Sequence, residues 1–181
     1  MDRYRFLMSG SGGQGVISMA IILAEAAAIH EGRNAVQAQS YGPEARGGAT
    51  RSDVIISDAP IYFPKVTQPN FLVALTNEAK GKYLPLIRPG GLCLYDSDLV
   101  QVEARVDAVR RGLPMHAAVM EKLGRPVAFN ICVLGALVTL TKVVALASLE
   151  KVLVERFAPA HHKSNKVALH LGADLAAPFA D

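Results

Sequence analysis

Residues 4–30 decide the fold class: YRFLMS (4–9) is followed by GSGGQG (10–15) and then by VISMAIILAEAAAIH (16–30). The first piece is short, mostly apolar and stops at a glycine, as β-strands do. The third piece is apolar almost all round, with Glu25 as its one carboxylate, and this pattern is typical of a buried helix. A strand, a glycine-rich loop and a helix in this order open a βα unit.

Strands and helices alternate through the first hundred residues. Further strands are predicted over 34–39, 53–57, 71–75, 92–95 and 101–106, and helices over 77–87, 128–145, 148–157 and 163–178. This pattern predicts an α/β fold, a single doubly wound, mostly parallel sheet with flanking helices and a helical C-terminal third. With 181 residues and no linker or internal repeat, residues 1–181 are expected to form one domain.

Composition and charge argue against several classes of function. Hydrophobic residues make up 51% and charged residues 19% of the chain, which indicates a globular protein. The net charge of +3 with scattered basic residues, no Trp and 6% aromatics argues against nucleic-acid binding. The longest uncharged run, residues 126–141, is shorter than the roughly 20 apolar residues of a membrane span. Because no signal peptide begins at Met1, a cytoplasmic location is expected.

The residues that bind metals or perform nucleophilic chemistry are sparse. Cys93 and Cys132 lie in apolar segments without a CxxC pattern, so both are predicted to be core thiols and no iron–sulfur cluster is expected on this chain. His161 and His162 are adjacent and have no carboxylate at ligand spacing, so a surface role is predicted for both. For His116 the default is capping or solvent contact. GxSxG is absent too. No metal site and no catalytic residue are therefore predicted in this chain.

The glycine loop has the spacing GxGxxG, with one more glycine inside it. After a strand and before a helix, this spacing permits close backbone approach while the first N–H groups of the helix face an anion. The candidate residues for phosphate or pyrophosphate binding are Gly10, Ser11, Gly12, Gly13, Gln14 and Gly15. The alternative, in which the glycines only allow tight packing of strand on helix, has equal weight.

A dinucleotide site would also need an acidic residue at the end of the second strand, to hold a ribose hydroxyl. That strand ends in Gln37, Ala38, Gln39 and Ser40. Glu31 comes too early and Glu44 falls within the next loop. The sequence therefore argues against an NAD site, and the lack of GK[ST] argues against a Walker-type ATP site.

The stretch SYGPEARGGATR (40–51) is rich in Gly and Pro and is predicted not to be a regular element. Within it, a second loop, SYGPEARGG (40–48), contains Pro43 and three glycines. Its candidate binding residues are Tyr41, Glu44, Arg46, Gly47 and Gly48. A guanidinium beside a Gly-Gly pair is suited to binding an anion. From the loop sequence alone, the simpler explanation is an ion pair between Glu44 and Arg46 that shapes the loop. In a parallel sheet, loops that follow strands share the carboxyl edge, so the two loops are expected to face each other.

The two loops together resemble the gamma subunit, or gamma domain, of 2-oxoacid:ferredoxin oxidoreductases. The matching strings are GSGGQGV (10–16), YGPEARGG (41–48), SDVII (52–56), Phe129-Asn130, LGA (134–136), Asn165 and Gly172. The form YGPEARGG is most similar to the 2-oxoglutarate branch. Pyruvate-type chains tend to carry a second Arg where Ala45 stands, and indolepyruvate-type chains tend to carry Gln before the Arg.

The resemblance implies a reaction and a set of partners. A 2-oxoacid is decarboxylated on thiamine diphosphate with Mg, electrons pass through iron–sulfur clusters to ferredoxin, and coenzyme A takes the acyl group. The sequence contains no GDG motif and no cluster cysteines, so these cofactors are expected on alpha and beta subunits and a ferredoxin-like delta subunit. This chain would contribute to assembly and, through both loops, to coenzyme A binding. Whether the isolated chain forms a homodimer is left open.

Two alternatives remain at the level of the sequence. In the first, the chain is an assembly scaffold of the same complex and its glycine loop holds no ligand. In the second, it is a free-standing dinucleotide-binding oxidoreductase, which the missing acidic residue after the second strand argues against.

Overall fold

A computed structural model describes residues 3–39, 49–102 and 107–180. Its six strands are β1 (Arg3–Gly10), β2 (Asn34–Gln39), β3 (Thr50–Ser57), β4 (Phe71–Ala74), β5 (Gly91–Asp96) and β6 (Ala108–Leu113). Its α-helices are α1 (Val16–Glu25), α2 (Asn77–Tyr83), α3 (Met115–Leu123), α4 (Phe129–Thr141), α5 (Leu146–Arg156) and α6 (Pro159–Ala176). One π-helical turn, Ala26–His30, continues α1.

All six strands form one sheet in the order β2-β3-β1-β4-β5-β6. The neighbours β1, β4, β5 and β6 are parallel, whereas β3 is antiparallel to both β1 and β2. Because β3 reverses between them, β2 points in the same direction as β1. Five of the six strands therefore share one direction, which confirms the mostly parallel sheet, and β3 makes the sheet mixed.

Helices cover both faces of the sheet. Along β1, Phe6 and Met8 face a large core shared with α1, α4 and α6, while Leu7 faces a smaller core shared with α2. Burial on both faces explains why the parallel strands are continuous apolar runs and not alternating ones. The helical C-terminal third is confirmed by α3 to α6, which belong to the larger core.

The sequence-based prediction misses one helix, places one strand too early, and is wrong for Thr50 and Arg51, which belong to β3 and not to an irregular stretch. A strand was predicted over 101–106, of which 103–106 lie outside the described residues, but β6 begins at Ala108. No helix was predicted over 115–123, where α3 lies. Pro114 gives α3 no side-chain cap. Instead the buried carboxylate of Asp96 accepts the His116 backbone N–H at 2.6 Å. Because this contact joins residues distant in sequence, the residues around Pro114 contain no pattern that predicts the start of the helix.

None of the helices in the described ranges is both long and apolar enough to cross a bilayer.

The helices α4 and α6 pack backbone against backbone. A Cβ atom at Gly135 would overlap the carbonyl of Leu169, and one at Gly172 would overlap the carbonyl of Cys132. Each helix therefore presents a glycine to the main chain of the other. Glycine in a helix interior costs roughly 0.5–1 kcal/mol relative to alanine, and here the close approach of the two helices offsets that cost.

Gly135→Ala and Gly172→Ala are each expected to lower the free energy of unfolding by about 2–4 kcal/mol, because the added methyl group forces the helices apart. The measurement is urea unfolding followed by circular dichroism. Gly81→Ala in α2 is the matched control. A Cβ atom there meets nothing within 4 Å, so this change is expected to be neutral or to stabilise by up to about 1 kcal/mol. Equal losses at all three positions would contradict the packing role.

Both cysteines are buried and unpaired, which confirms them as core thiols. They lie in different cores, Cys93 on the α2 face of the sheet and Cys132 on the other. Burial raises the pKa of each thiol to about 12.

At pH 8 the native chain is therefore expected to react with iodoacetamide about 1,000-fold more slowly than the urea-unfolded chain, since the thiolate is the nucleophile. Mass spectrometry of labelled peptides measures both rates at each cysteine. Native and unfolded rates of the same order would mean that these thiols are exposed.

Candidate anion-binding site

The glycine loop lies at the carboxyl edge of the sheet, directly after β1. After β1 the chain forms α1 and then β2 and β3 on one side of β1, and it returns to place β4 on the other side. In open α/β sheets such a reversal leaves a crevice outside the strand ends where ligands bind. The described structure therefore places the loop where the sequence predicted it.

The side chain of Gln14 holds the loop in shape. Its Oε1 atom accepts the Ser11 backbone N–H at 2.7 Å, and its Nε2 atom donates to the Leu75 carbonyl at 3.3 Å. Both polar ends of this side chain form hydrogen bonds inside the protein, so Gln14 shapes the loop, and its contact with a ligand stays a prediction.

Three of the four loop glycines have structural reasons. A Cβ atom at Gly10 would lie 3.1 Å from the Cβ atom of Leu75 and would overlap the Gln14 side chain. Gly13 has φ 88° and Gly15 has φ 72°, a left-handed backbone that other residues adopt only with strain. A Cβ atom at Gly15 would also lie 2.5 Å from Asn130 Nδ2.

Gly12 has no such reason within the described structure. Its φ is not left-handed, and a Cβ atom there would meet nothing within 4 Å. Packing explains Gly10 and Gly15, and a left-handed backbone explains Gly13 and Gly15, but neither reason applies to Gly12. The space beside Gly12 is what a ligand needs to approach the backbone closely.

The first turn of α1 has an uncapped N-terminus. Gly15 occupies the N-cap position without a side-chain hydrogen bond to the helix, and the first turn carries no acidic residue. The leading N–H groups of a helix have no intrahelical acceptors and carry a partial positive charge. This end of α1 is consequently suited to an anion.

A cavity of about 680 Å³ adjoins the loop. Its walls come from the loop itself, from the start of α4, from His116 on α3 and from His161 and Asn165 on α6. Asn130 connects two of these walls, since its Nδ2 atom donates to the Gly15 carbonyl at 3.4 Å. His161 is exposed, as the sequence predicts, and His116 is half-buried; both line this cavity.

Asp96 is the residue that sequence reasoning missed most clearly. It ends β5 fully buried, and its carboxylate accepts the backbone N–H groups of Asp98, Leu99 and His116 at 3.0, 3.2 and 2.6 Å. Leu99 and His116 both line the cavity, so Asp96 positions two of its walls. An aspartate directly after the apolar strand LCLY (92–95) is the signal that was available.

The second loop falls outside the described residues, and with it Tyr41, Glu44, Arg46, Gly47 and Gly48. The strands on either side of it are described. Gly10 pairs with Thr50, and Gln39 pairs with Ser52. Both ends of the loop are therefore at the edge where the glycine loop lies, while the contact of its five candidate residues with a ligand stays a prediction.

A buried ion pair anchors the strand that follows the second loop. Arg51 donates two hydrogen bonds of 2.8 Å to the Asp53 carboxylate, which also accepts the Val66 backbone N–H at 2.9 Å. The Arg51 guanidinium lies over the Tyr83 ring, 5.4 Å from the ring centroid, which is close enough for a cation–π contact. The end of the loop is thus held by the core on the α2 face.

Within the described ranges, no group of three or more His, Cys, Asp or Glu side chains is placed to hold a metal ion. Cys93 and Cys132, in separate cores, do not fit an iron–sulfur cluster.

The sequence profile of the pyruvate ferredoxin/flavodoxin oxidoreductase family matches residues 5–175. The chain therefore belongs to this family, a family of oxidoreductase subunits, and the resemblance carried by the two loops is confirmed. It is 42% identical to the 2-oxoglutarate synthase subunit KorC of Methanocaldococcus jannaschii, over 96% of this chain and 94% of that protein.

Solved structures agree with this assignment. The gamma subunit of a keto/oxoacid ferredoxin oxidoreductase from Geobacter sulfurreducens superposes with a TM-score of 0.86 at 41% identity, covering 96% of this chain and 98% of that one. A 2-oxoglutarate:ferredoxin oxidoreductase from Magnetococcus marinus, solved with 2-oxoglutarate, coenzyme A and succinyl-CoA bound, also has a TM-score of 0.86. It is 24% identical over 97% of this chain and 31% of its own, and it shows the fold alone.

Gly15→Ala is expected to lower the free energy of unfolding by about 2 kcal/mol or more, because it combines a left-handed φ with a clash against Asn130. Gly12→Ala is expected to change it by no more than about 0.5 kcal/mol. Urea unfolding of both variants checks the difference. A large loss for Gly12→Ala would show that its glycine is also structural.

Proposed function

We propose that this chain is the gamma subunit of a 2-oxoglutarate:ferredoxin oxidoreductase and that its two loops hold the phosphates of coenzyme A. The single observation that carries the ligand role is Gly12, a loop glycine that neither φ nor packing requires. The bare N-terminus of α1 beside it supplies N–H donors and a partial positive charge for a phosphate. Arg46 would add a charged planar fork from the second loop.

Two observations favour 2-oxoglutarate as the oxoacid. The KorC relatives named as 2-oxoglutarate synthase subunits match nearly the whole chain, and a pyruvate synthase subunit PorC is 30% identical over 82% of it. The loop also has Ala45 where pyruvate-type chains tend to carry a second arginine.

The chemistry of the oxoacid itself belongs to other subunits in this proposal. Thiamine diphosphate with Mg supplies decarboxylation, and iron–sulfur clusters carry the electrons to ferredoxin, both on alpha and beta subunits and a ferredoxin-like delta subunit. This chain binds and orients coenzyme A so that it can take the acyl group, and it completes the assembly. We expect the complex in the cytoplasm, where the free thiols Cys93 and Cys132 stay reduced.

Gly12→Ala in the assembled complex is expected to raise the KM for coenzyme A about tenfold, because the methyl group occupies the space that the phosphates would take. The KM for 2-oxoglutarate is expected to stay unchanged. Ferredoxin reduction at varied concentrations of each substrate measures both. Gly81→Ala is the matched control, because Gly81 also has open space around it but lies in α2, distant in sequence from both loops.

Arg46→Ala tests the second loop in the same assay. Loss of one charged hydrogen-bonding partner is expected to raise the KM for coenzyme A about tenfold or more, while decarboxylation of 2-oxoglutarate without coenzyme A continues. A coenzyme A dependence equal to that of the parent would remove Arg46 from the site.

An assembly scaffold with an empty loop is the second candidate. Two observations favour it: the Gln14 side chain forms its hydrogen bonds within the protein, and packing or a left-handed backbone accounts for three of the four loop glycines. Under this alternative, neither Gly12→Ala nor Arg46→Ala changes the KM for coenzyme A, and crystals of the complex soaked with coenzyme A show density that touches no residue of this chain.

A dinucleotide-binding oxidoreductase receives no support from the described edge. β2 ends at Gln39 without an acidic side chain, and the Gln37 amide donates to the Ser52 hydroxyl at 2.7 Å. Calorimetry of the isolated chain with NAD or NADP is expected to show no tight binding.

A further inference from the structure

Asn165 leaves a buried amide without a partner. It sits in the first half of α6 with 5% of its surface exposed, and its Nδ2 atom has no hydrogen-bond partner in the described structure. Asn165 is one of the residues that line the cavity beside the glycine loop. Buried side-chain amides are nearly always hydrogen-bonded, so this one calls for an acceptor that residues 3–39, 49–102 and 107–180 do not supply.

The choice of asparagine at this position is costly for the fold. Asparagine is a poorer helix former than leucine, and a buried polar group without a partner destabilises the folded state. A leucine of similar size would fit an apolar wall built by Phe129, Ile131 and Phe157. An acceptor brought in by a ligand would offset the cost of the asparagine.

The same cavity opens onto the anion site. Gly13 and Gly15 line it together with Asn165, so a molecule anchored at the loop by its phosphates has the cavity directly beside it. About 680 Å³ is within the usual range for pockets that hold small molecules. Mostly apolar walls with a few polar groups are also typical of such pockets.

We propose that this cavity binds the uncharged group attached to the phosphates held at the glycine loop, and that the Asn165 amide donates a hydrogen bond to an acceptor on that group. The inference rests on the proposed function. Coenzyme A carries two such groups, the adenosine and the pantetheine arm, and both present hydrogen-bond acceptors. Asn165 is therefore a binding residue of this chain.

The decisive variant is Asn165→Leu in the assembled complex. Binding of adenosine 3′,5′-bisphosphate and of 4′-phosphopantetheine is measured by calorimetry. We expect the dissociation constant of one fragment to rise about tenfold and that of the other to stay unchanged, which identifies the group in the cavity. The melting temperature without ligand is expected to stay the same or rise, because the variant removes an unsatisfied polar group.

Ser164→Ala is the matched control on the same helix. The Ser164 hydroxyl donates to the His161 carbonyl within α6, and the variant is expected to leave both dissociation constants unchanged. Unchanged binding of both fragments to Asn165→Leu would overturn the inference. So would a marked fall in its melting temperature, which would show that Asn165 serves the fold.

A second measurement needs no variant complex. The chain has five asparagines, at 34, 70, 77, 130 and 165, so selective ¹⁵N-asparagine labelling gives a simple spectrum of side-chain amides. The Asn165 amide signals of the full chain are expected to shift when coenzyme A is added, and the Asn34 signals to stay still. No shift at saturating coenzyme A would overturn the inference.

The outcomes separate this inference from the proposed function. If Gly12→Ala and Arg46→Ala raise the KM for coenzyme A while Asn165→Leu changes nothing, the phosphates bind at the loops and only the cavity assignment is wrong. If none of the three has an effect, both proposals are wrong.

Discussion

The crossing of α4 and α6 is the constraint on which the rest of the site depends. Gly135 and Gly172 each bring one helix into contact with the backbone of the other, and no other residue type would allow this approach. The first turn of α4 then presents Asn130 to the glycine loop, and the first half of α6 presents Asn165 to the cavity. A wider spacing of the two helices would separate these side chains from the end of β1.

The glycine loop combines structure and ligand binding without using the same residue for both. Gly10, Gly13 and Gly15 are required by packing or by a left-handed backbone, and Gln14 closes the loop onto Leu75. These contacts fix the direction in which α1 begins, and hence where its free N–H groups point. Gly12 is left as the open surface of the loop. Preorganisation of this kind lowers the cost of ordering the site when an anion binds.

Contacts on both faces of the sheet hold the carboxyl edge in place. On one face, Asp96 ties the end of β5 to the start of α3 through the His116 N–H. On the other, the pair of Arg51 with Asp53 fixes the strand that leaves the second loop. Buried carboxylates that accept several hydrogen bonds hold loops in one arrangement, because an alternative would leave a charge without partners. These contacts hold the end of β5 and the start of β3 in place at this edge.

The sequence by itself determined the fold class, the family and the glycine loop, since each depends on neighbours in the chain: an apolar strand, a run of glycines and an apolar helix are local patterns. It also named both loops as one site, from the rule that strands of one direction end at one edge. Only the tertiary structure decided that β3 runs antiparallel and that the carboxylate of Asp96 accepts the His116 N–H at the start of α3. It also decided that Gly12 differs from the other three glycines of its loop. It alone brought Asn130, His116 and Asn165 around one cavity. Those facts depend on contacts between residues distant in sequence, and no spacing or periodicity records which distant side chain will be left without a partner.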